Sequence, residues 1–269
     1  MSQVECENRR QPLVCLEHID KIFNKDSVNE VTLFRDFNLT IHRGEFISVV
    51  GSNGSGKTTM LNLICGSLTV DGGRILLKEK EITRTPEYQR NAYIDRVFQD
   101  PSKGTCPSLS ILENMSLADN KGKPFGITRG VNRKRLDFYR AQLELLHLGL
   151  EDKMELQVGV LSGGQRQALA LLIATLTPID LLVLDEHTAA LDPKSSENVM
   201  ELTDKIVKQK NLTAIMVTHN LRFAVEYGTR LLMMDKGHCV IDSGPDGKAG
   251  YQIDDLLKVF NEISVECGN

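Results

Sequence analysis

From residue 46 to residue 59 the chain reads Phe46-Ile47-Ser48-Val49-Val50-Gly51-Ser52-Asn53-Gly54-Ser55-Gly56-Lys57-Thr58-Thr59. Phe46–Val50 is a compact apolar run before a glycine, the pattern of a strand buried on both faces of a parallel sheet. From Gly51 the residues fit G-x-x-x-x-G-K-[ST]. A helical pattern follows at Met60, Leu61, Leu63 and Ile64 and ends near Gly66. Strand, glycine-rich loop and helix in that order are the context in which such a loop holds phosphate. Glycine lets backbone N–H groups turn inward around phosphate oxygens, and the helix N-terminus adds partial positive charge. Lys57 is placed to reach the β- and γ-phosphates and the Thr58 hydroxyl to ligate Mg²⁺. The glycine spacing is not the G-x-G-x-x-G of dinucleotide folds. Asn24-Lys25-Asp26-Ser27 misses the N-K-x-D pattern of guanine recognition and lies upstream of the loop.

Downstream, Leu181-Leu182-Val183-Leu184 is a second buried strand, and it ends in Asp185-Glu186. Ligands of open α/β sheets collect at the carboxyl ends of strands. Asp185 is therefore a candidate Mg²⁺ ligand, acting through water because Mg²⁺ keeps several waters. Glu186, one residue on, can polarise an attacking water.

Between the two lies Leu161-Ser162-Gly163-Gly164-Gln165, a small flexible run opening a helix and so a second anion-binding helix N-terminus. Read as LSGGQ between the two phosphate motifs, it resembles the signature of ATP-binding-cassette (ABC) ATPases. Further motifs of that family stand in order over about 15–260. Phe23 resembles the aromatic that stacks on adenine. Gln99, in Val97-Phe98-Gln99-Asp100-Pro101, resembles the Q-loop glutamine. Ala190-Leu191-Asp192 resembles the D-loop, and His219 after Val217-Thr218 the switch histidine.

The resemblance implies an α/β fold: a P-loop NTPase core with a mostly parallel sheet, an antiparallel β subdomain and an α-helical signature subdomain. It implies one ABC ATPase domain over 1–269. The core and β subdomains would occupy about 13–98 and 177–250, the helical subdomain about 99–176 and a C-terminal helix about 251–262. ATP and Mg²⁺ are the implied ligands. Two copies would pair head to tail, with ATP on Gly51–Thr59 of one (Gly51, Ser52, Asn53, Gly54, Ser55, Gly56, Lys57, Thr58 and Thr59) meeting Ser162, Gly163, Gly164 and Gln165 of the other. Glu186 would be the general base, and His219 would orient it and the γ-phosphate. Asp192 would communicate between sites. Gln99 would sense Mg²⁺ and the lytic water where a transmembrane permease docks.

Composition agrees with a globular chain. Of 269 residues, 41% are hydrophobic and 25% charged, enough apolar material for a core and too much for a disordered chain. The net charge of −4 argues against a bulk polycationic nucleic-acid binder. The longest nearly continuous apolar run, Ala168–Leu176, is far short of the roughly 20 residues that span a membrane. The N-terminus lacks an apolar signal core, so the chain is expected to stay in the cytoplasm; the family resemblance implies the cytoplasmic side of the cell membrane, held peripherally. Cys6, Cys15, Cys65, Cys106, Cys239 and Cys267 form no C-x-x-C pair and read as reduced thiols.

The remaining pattern alternates. Short β-like runs at Val14–Leu16 and Phe37–Ile41 flank a polar turn at Asn24–Glu30, and Gly73–Glu81 reads as strand and turn. Helical periodicity at Leu112–Leu117 and Leu136–Leu148 marks a helical insertion. Then come helix 163–176, strand 181–184, helix 195–208, strand 213–217 and helix 221–227. A hairpin over Arg230–Asp242 turns at Lys236-Gly237, before an amphipathic helix with Ile253, Leu256, Leu257 and Phe260.

Three features depart from the family pattern or stand outside it. Ala168 and Ile173 are apolar where many members carry arginine. His187 follows the Asp-Glu pair where most have proline; it is expected to be a loop residue near the site rather than a metal ligand. Arg129, Arg133, Lys134, Arg135 and Arg140 read as a solvated helix face or as a surface toward anionic headgroups or a permease loop. The run Asp185–Asp192, DEHTAALD, with the apolar signature helix, resembles a bacterial importer group that works with a solute-binding protein and a permease, its solutes being amino acids, aromatic ones included. An exporter subunit is the alternative. A soluble member acting on ribosomes or DNA is disfavoured by the single phosphate loop and signature, and an inactive module by the presence of Lys57, Asp185, Glu186 and His219.

Overall fold

A computed structural model of the chain describes residues 11–122, 130–244 and 247–266; Cys6, Arg129 and Cys267 lie outside them. In chain order the strands and α-helices begin with β1 (Pro12–Phe23), β2 (Val31–His42), β3 (Phe46–Gly51), α1 (Lys57–Cys65), β4 (Gly72–Leu77), β5 (Lys80–Glu81) and α2 (Glu87–Arg90). Next come β6 (Ile94–Val97), α3 (Ile111–Asp119), α4 (Leu136–Glu144), α5 (Gly163–Ala174), β7 (Leu181–Asp185) and α6 (Pro193–Gln209). The last are β8 (Thr213–Val217), α7 (Leu221–Glu226), β9 (Arg230–Asp235), β10 (His238–Asp242) and α8 (Ile253–Glu266). The chain divides into two compact units, one of Met1–Asn91 with Lys210–Asn269 and one of Ala92–Gln209.

In the first unit β3 lies between β8 and β9, parallel to both, and β10 is antiparallel to β9. Every residue of β3 and β8 is buried, the physical reason their sequences run apolar without alternation. A separate antiparallel sheet has the order β2-β1-β4-β5. Its first two strands are each 12 residues long, where the sequence pattern showed only Val14–Leu16 and Phe37–Ile41. Their pairing carries register shifts between Leu16 and Lys21. Within that stretch His18 and its hydrogen-bond partner Asp36 (Nδ1–Oδ1 2.6 Å) both have positive φ. A bulge adds a residue to one strand and moves the following side chains to the opposite face, so period-2 alternation breaks although the strand continues.

Two buried arginines fasten this unit. Arg90 is 3% exposed and donates to the carbonyls of Leu63, Ile64, Thr83 and Thr85, two of them at the C-terminal turn of α1. A cation there meets the negative end of the helix dipole. Arg230 donates to Asp242, Glu45 and the Thr40 carbonyl, which ties β9 to β10, to the turn before β3 and to β2. Leu256 of α8 is fully buried with Val50, Ala224, Leu231 and Met233.

The second unit holds the parallel pair β6–β7 and helices α3 to α6. Its core gathers Ile111, Leu112 and Met115 with Tyr139, Leu143, Ala168, Leu169 and Leu172. Ala168 is 1% exposed in this core, which accounts for an apolar residue at that place. Among the described residues no helix is long and apolar enough to cross a membrane, and Cys15, Cys65, Cys106 and Cys239 are free thiols.

Candidate functional site

The phosphate loop belongs to the first unit. A β-carbon on Gly51 would lie 2.2 Å from the Met234 carbonyl oxygen of neighbouring β9, so only glycine allows the strands to stay paired there. The Ser52 hydroxyl donates to Asp235 at 3.0 Å, and the Ser55 carbonyl accepts from the Gly237 N–H at 3.0 Å. The loop is thus held by the β9–β10 hairpin as well as by its own strand and helix. Lys57 is 5% exposed, and its ammonium donates to the Gly51 and Ser52 carbonyls, each at 2.8 Å. The side chain thus reaches from the start of α1 back across the loop to the carbonyls of its first two residues. Thr58 is exposed and Thr59 half-buried.

Because β3 and β8 are parallel and in register from Phe46↔Ala214 to Val49↔Val217, the loop after β3 and His219 after β8 leave the sheet at the same carboxyl edge. His219 is exposed. Phe23 sits at the end of β1, half-buried, paired with Val31 and 5.5 Å from the Lys21 ammonium. Its described contacts are thus with its own sheet.

The second unit repeats this logic. The parallel pair β6–β7, in register from Ile94↔Leu181 to Val97↔Leu184, brings Gln99 and the Asp185-Glu186 pair to one carboxyl edge. Gln99 is exposed, while Asp185 and Glu186 are half-buried. Asp185 accepts from Arg96 at 2.5 Å. Glu186 has φ +49°, a left-handed conformation that costs a non-glycine residue about 1–2 kcal/mol. Such outliers persist where surrounding bonds hold them. Here the Ala189 N–H donates to the Glu186 carbonyl, and the Ser196 hydroxyl donates to the Thr188 carbonyl.

His187 lies in the turn after β7, beside the Asp185-Glu186 pair, as the sequence pointed to, but it is buried there. It is 2% exposed and lies 3.1 Å from the Thr203 hydroxyl of α6. The segment it anchors turns inward because α6 begins only six residues later and packs against it.

The signature run carries its own cap. The Ser162 hydroxyl accepts from the Gln165 N–H, and the Gln165 side chain accepts from the Ser162 N–H, a reciprocal cap at the start of α5. Gly164 lies against Ser195, whose Cβ and Oγ would both be 3.1 Å from a β-carbon placed on it. Asp192 accepts from the Ser195 N–H at 3.1 Å, and the Ser195 hydroxyl, together with that N–H, holds its carboxyl below the usual range. Ser162–Gln165 and Leu191–Ser195 therefore form one packed corner, beside a cavity of about 240 Å³ lined by Ser162, Gly164, Gln165, Ser195, Asn198 and Leu202.

The family profile described as "ABC transporter" matches residues 34–189, more than half of the chain, from β2 through the phosphate loop and signature to the turn after β7. The chain belongs to the ABC transporter family, as an ATP-binding subunit that hydrolyses ATP. It is 44% identical over 245 residues to a tyrosine transport ATP-binding protein of Clostridioides difficile, covering 91% of this chain and 97% of that one. It is 32% identical to a spermidine/putrescine import ATP-binding protein PotA of Haemophilus influenzae, of which the match spans 60%. Among solved structures, a post-hydrolysis dimer of the ATP-binding cassette MJ0796 bound to ADP and Pi superposes with TM-score 0.73 at 27% identity, covering 89% of this chain and 100% of that one. The cassette MJ1267 in its ADP conformation shares the fold at TM-score 0.77 and 22% identity, over 96% and 100%.

Sequence reasoning missed several residues of this ABC subunit that support the motifs. Arg96 meets Asp185. Gln167, fully buried on α5, donates to the Phe98 carbonyl at 2.9 Å and so joins the signature helix to the segment before Gln99. Thr203 receives His187. Each partner is far away in sequence, from 16 to 89 residues. No local spacing rule signals such pairs.

Proposed function

We propose that this ABC subunit energises import of an amino acid, an aromatic one such as tyrosine, through permease subunits on other chains, with a solute-binding protein delivering the solute. The observation that carries the reading is 44% identity along nearly the whole length of a tyrosine transport ATP-binding protein. The run DEHTAALD and the apolar signature helix support the same importer group. The subunit would bind the cytoplasmic face of the membrane peripherally and pair with a second copy.

The residues suit the nucleotide and its metal. The glycine cradle offers backbone N–H groups and a buried ammonium to phosphate oxygens. The Thr58 hydroxyl and Asp185 carboxylate are hard oxygen donors of the kind Mg²⁺ takes. When bound, Mg²⁺ neutralises charge developing on the β- and γ-phosphate oxygens. In the proposed mechanism Lys57 balances charge on the same phosphates. Glu186 accepts the proton of the attacking water, and His219 orients the γ-phosphate and Glu186. Gln99 reports the state of the site to the permease, and Phe23 stacks on adenine. Ser162, Gly163, Gly164 and Gln165 of one copy close over the nucleotide held by Gly51–Thr59 of the other, and Asp192 links the two sites. ATP stabilises the closed pair because it binds that state better.

The test is capture of tagged Glu186→Gln protein from detergent-solubilised native membranes with ATP and Mg²⁺. The recovered complex is then placed in liposomes and assayed for tyrosine uptake driven by parent protein. A stoichiometric multi-span partner and ATP-dependent uptake are expected. Recovery of ribosomal or DNA-bound proteins instead, or ATP-driven efflux, overturns the importer reading.

A further inference from the structure

We propose that Arg96 is a resident counter-charge for Asp185, held on the carboxylate until the metal–nucleotide complex displaces it. The proposal rests on reading Asp185 as the Mg²⁺ ligand. It assigns to Arg96 a positioning role that sets how tightly that metal is held.

The geometry follows from the sheet. On β6 Arg96 stands opposite Val183 of β7, and Asp185 lies two residues further along β7 on the same face. The guanidinium therefore reaches the carboxylate directly, Nη2 to Oδ2 at 2.5 Å. Both side chains are largely sheltered, 11% and 15% exposed, so solvent screens the pair only partly. The Phe98 ring centroid lies 4.8 Å from the guanidinium carbon, a cation–π contact. The neighbouring Asp95 carboxylate pairs at 2.5 Å with Lys121, so β6 sends its acid toward the end of α3 and its base toward β7.

A carboxylate that already receives a guanidinium is a poor ligand for a second cation. The incoming metal must compete for its oxygens and is repelled by the charge already there. The competition works both ways. Without the metal–nucleotide complex the pairing relieves Asp185 of an uncompensated charge, and with it Arg96 must withdraw. Arg96 lies on the strand that runs directly into Phe98 and Gln99. Its displacement therefore occurs on the same short segment as the glutamine proposed to report the state of the site.

The test uses the full-length protein and fluorescent mant-ADP, with binding followed by anisotropy. The readout is the ratio of its affinity with Mn²⁺ to its affinity with EDTA, which isolates the contribution of the metal without any turnover. Arg96→Ala is expected to raise the ratio about tenfold, or ~1.4 kcal/mol. Arg96→Lys, which restores the charge, is expected to return it toward the parent value. Asp185→Asn is expected to collapse it, and Arg96→Ala with Asp185→Asn to match Asp185→Asn alone. If Arg96→Ala does not fold, Arg96→Gln removes the charge while keeping a donor and is expected to raise the ratio as well. An unchanged or lowered ratio in the Arg96 variants, with Asp185→Asn still collapsing it, overturns the counter-charge. A parent-like ratio in Asp185→Asn overturns the metal-ligand reading itself, and the proposal with it.

Discussion

Nε2 of His187 lies 3.1 Å from the Thr203 hydroxyl oxygen, and that hydroxyl gives its own proton to the Val199 carbonyl at 2.7 Å. The hydroxyl therefore accepts from the ring, which fixes Nε2 as the nitrogen that carries hydrogen. Burial pulls the pKa of His187 down to about 4, so the imidazole is neutral inside the fold.

That burial makes stability pH-dependent. The folded pKa lies below the unfolded value of about 6.5, so the unfolded chain binds the proton more readily. The contribution is fully present above pH 6.5 and is lost as pH falls toward 4, by roughly 3 kcal/mol in all. Urea unfolding of nucleotide-free, chelator-treated protein across this range should show a steeper acid loss for the parent than for His187→Gln. Parallel curves for the two proteins would mean that the ring is not held neutral.

Gly51→Ala should lower stability by about 3 kcal/mol and abolish nucleotide binding, because its β-carbon collides with backbone rather than with a side chain that can move. Ser52→Ala removes only the hydroxyl bonded to Asp235 and should cost about 1 kcal/mol or less. Thermal melts and mant-ATP titrations of the two variants separate these outcomes. A Gly51→Ala protein that melts and binds like the parent would remove the close approach as the reason for glycine.

The cap at Ser162 separates folding from chemistry. Ser162→Ala should cost about 1 kcal/mol of stability without nucleotide, since the Gln165 N–H loses its acceptor. Ser162→Asp keeps an acceptor and should melt near the parent temperature, yet should depress ATP turnover by placing a negative charge where phosphate is proposed to arrive. Equal turnover in Ser162→Asp and parent would argue against the signature contact.

Glu186 combines a strained backbone with its proposed chemistry. At φ +49° glycine is the relaxed residue, so Glu186→Gly should be more stable than Glu186→Ala by about 1 kcal/mol. Both should lose nearly all turnover. Differential scanning calorimetry with a phosphate-release assay checks the pair, and an Ala variant as stable as the Gly variant would mean that the turn carries no strain.

How much could be read from the chain depends on the range of each interaction. The phosphate loop and the strand ending in Asp185-Glu186 were legible because backbone chemistry fixes glycine, lysine and carboxylate at short spacings. The β9–β10 hairpin and its turn at Lys236-Gly237 were legible for the same reason. The length of β1 and β2 was hidden, since bulges near His18 and Asp36 interrupt alternation without ending the strands. The surroundings of Asp185 were hidden for another reason. Arg96 is 89 residues away, and only the pairing of two parallel strands brings them together. The burial of His187 was hidden because it is decided by Thr203, on the far side of a turn and about three helical turns into α6.

The turn between β9 and β10 has a consequence for how such a chain can vary. Hairpin tips ordinarily tolerate added residues, fused tags and evolutionary drift in length. Here Gly237 donates to the Ser55 carbonyl, and a β-carbon on it would fall 1.7 Å from the Leu33 carbonyl oxygen of β2. The tip is wedged between the phosphate loop and the antiparallel sheet, so its length is as constrained as that of the loop it supports. Engineers seeking a place for a reporter domain will find it instead in the turn after β1, where Val28 is fully exposed.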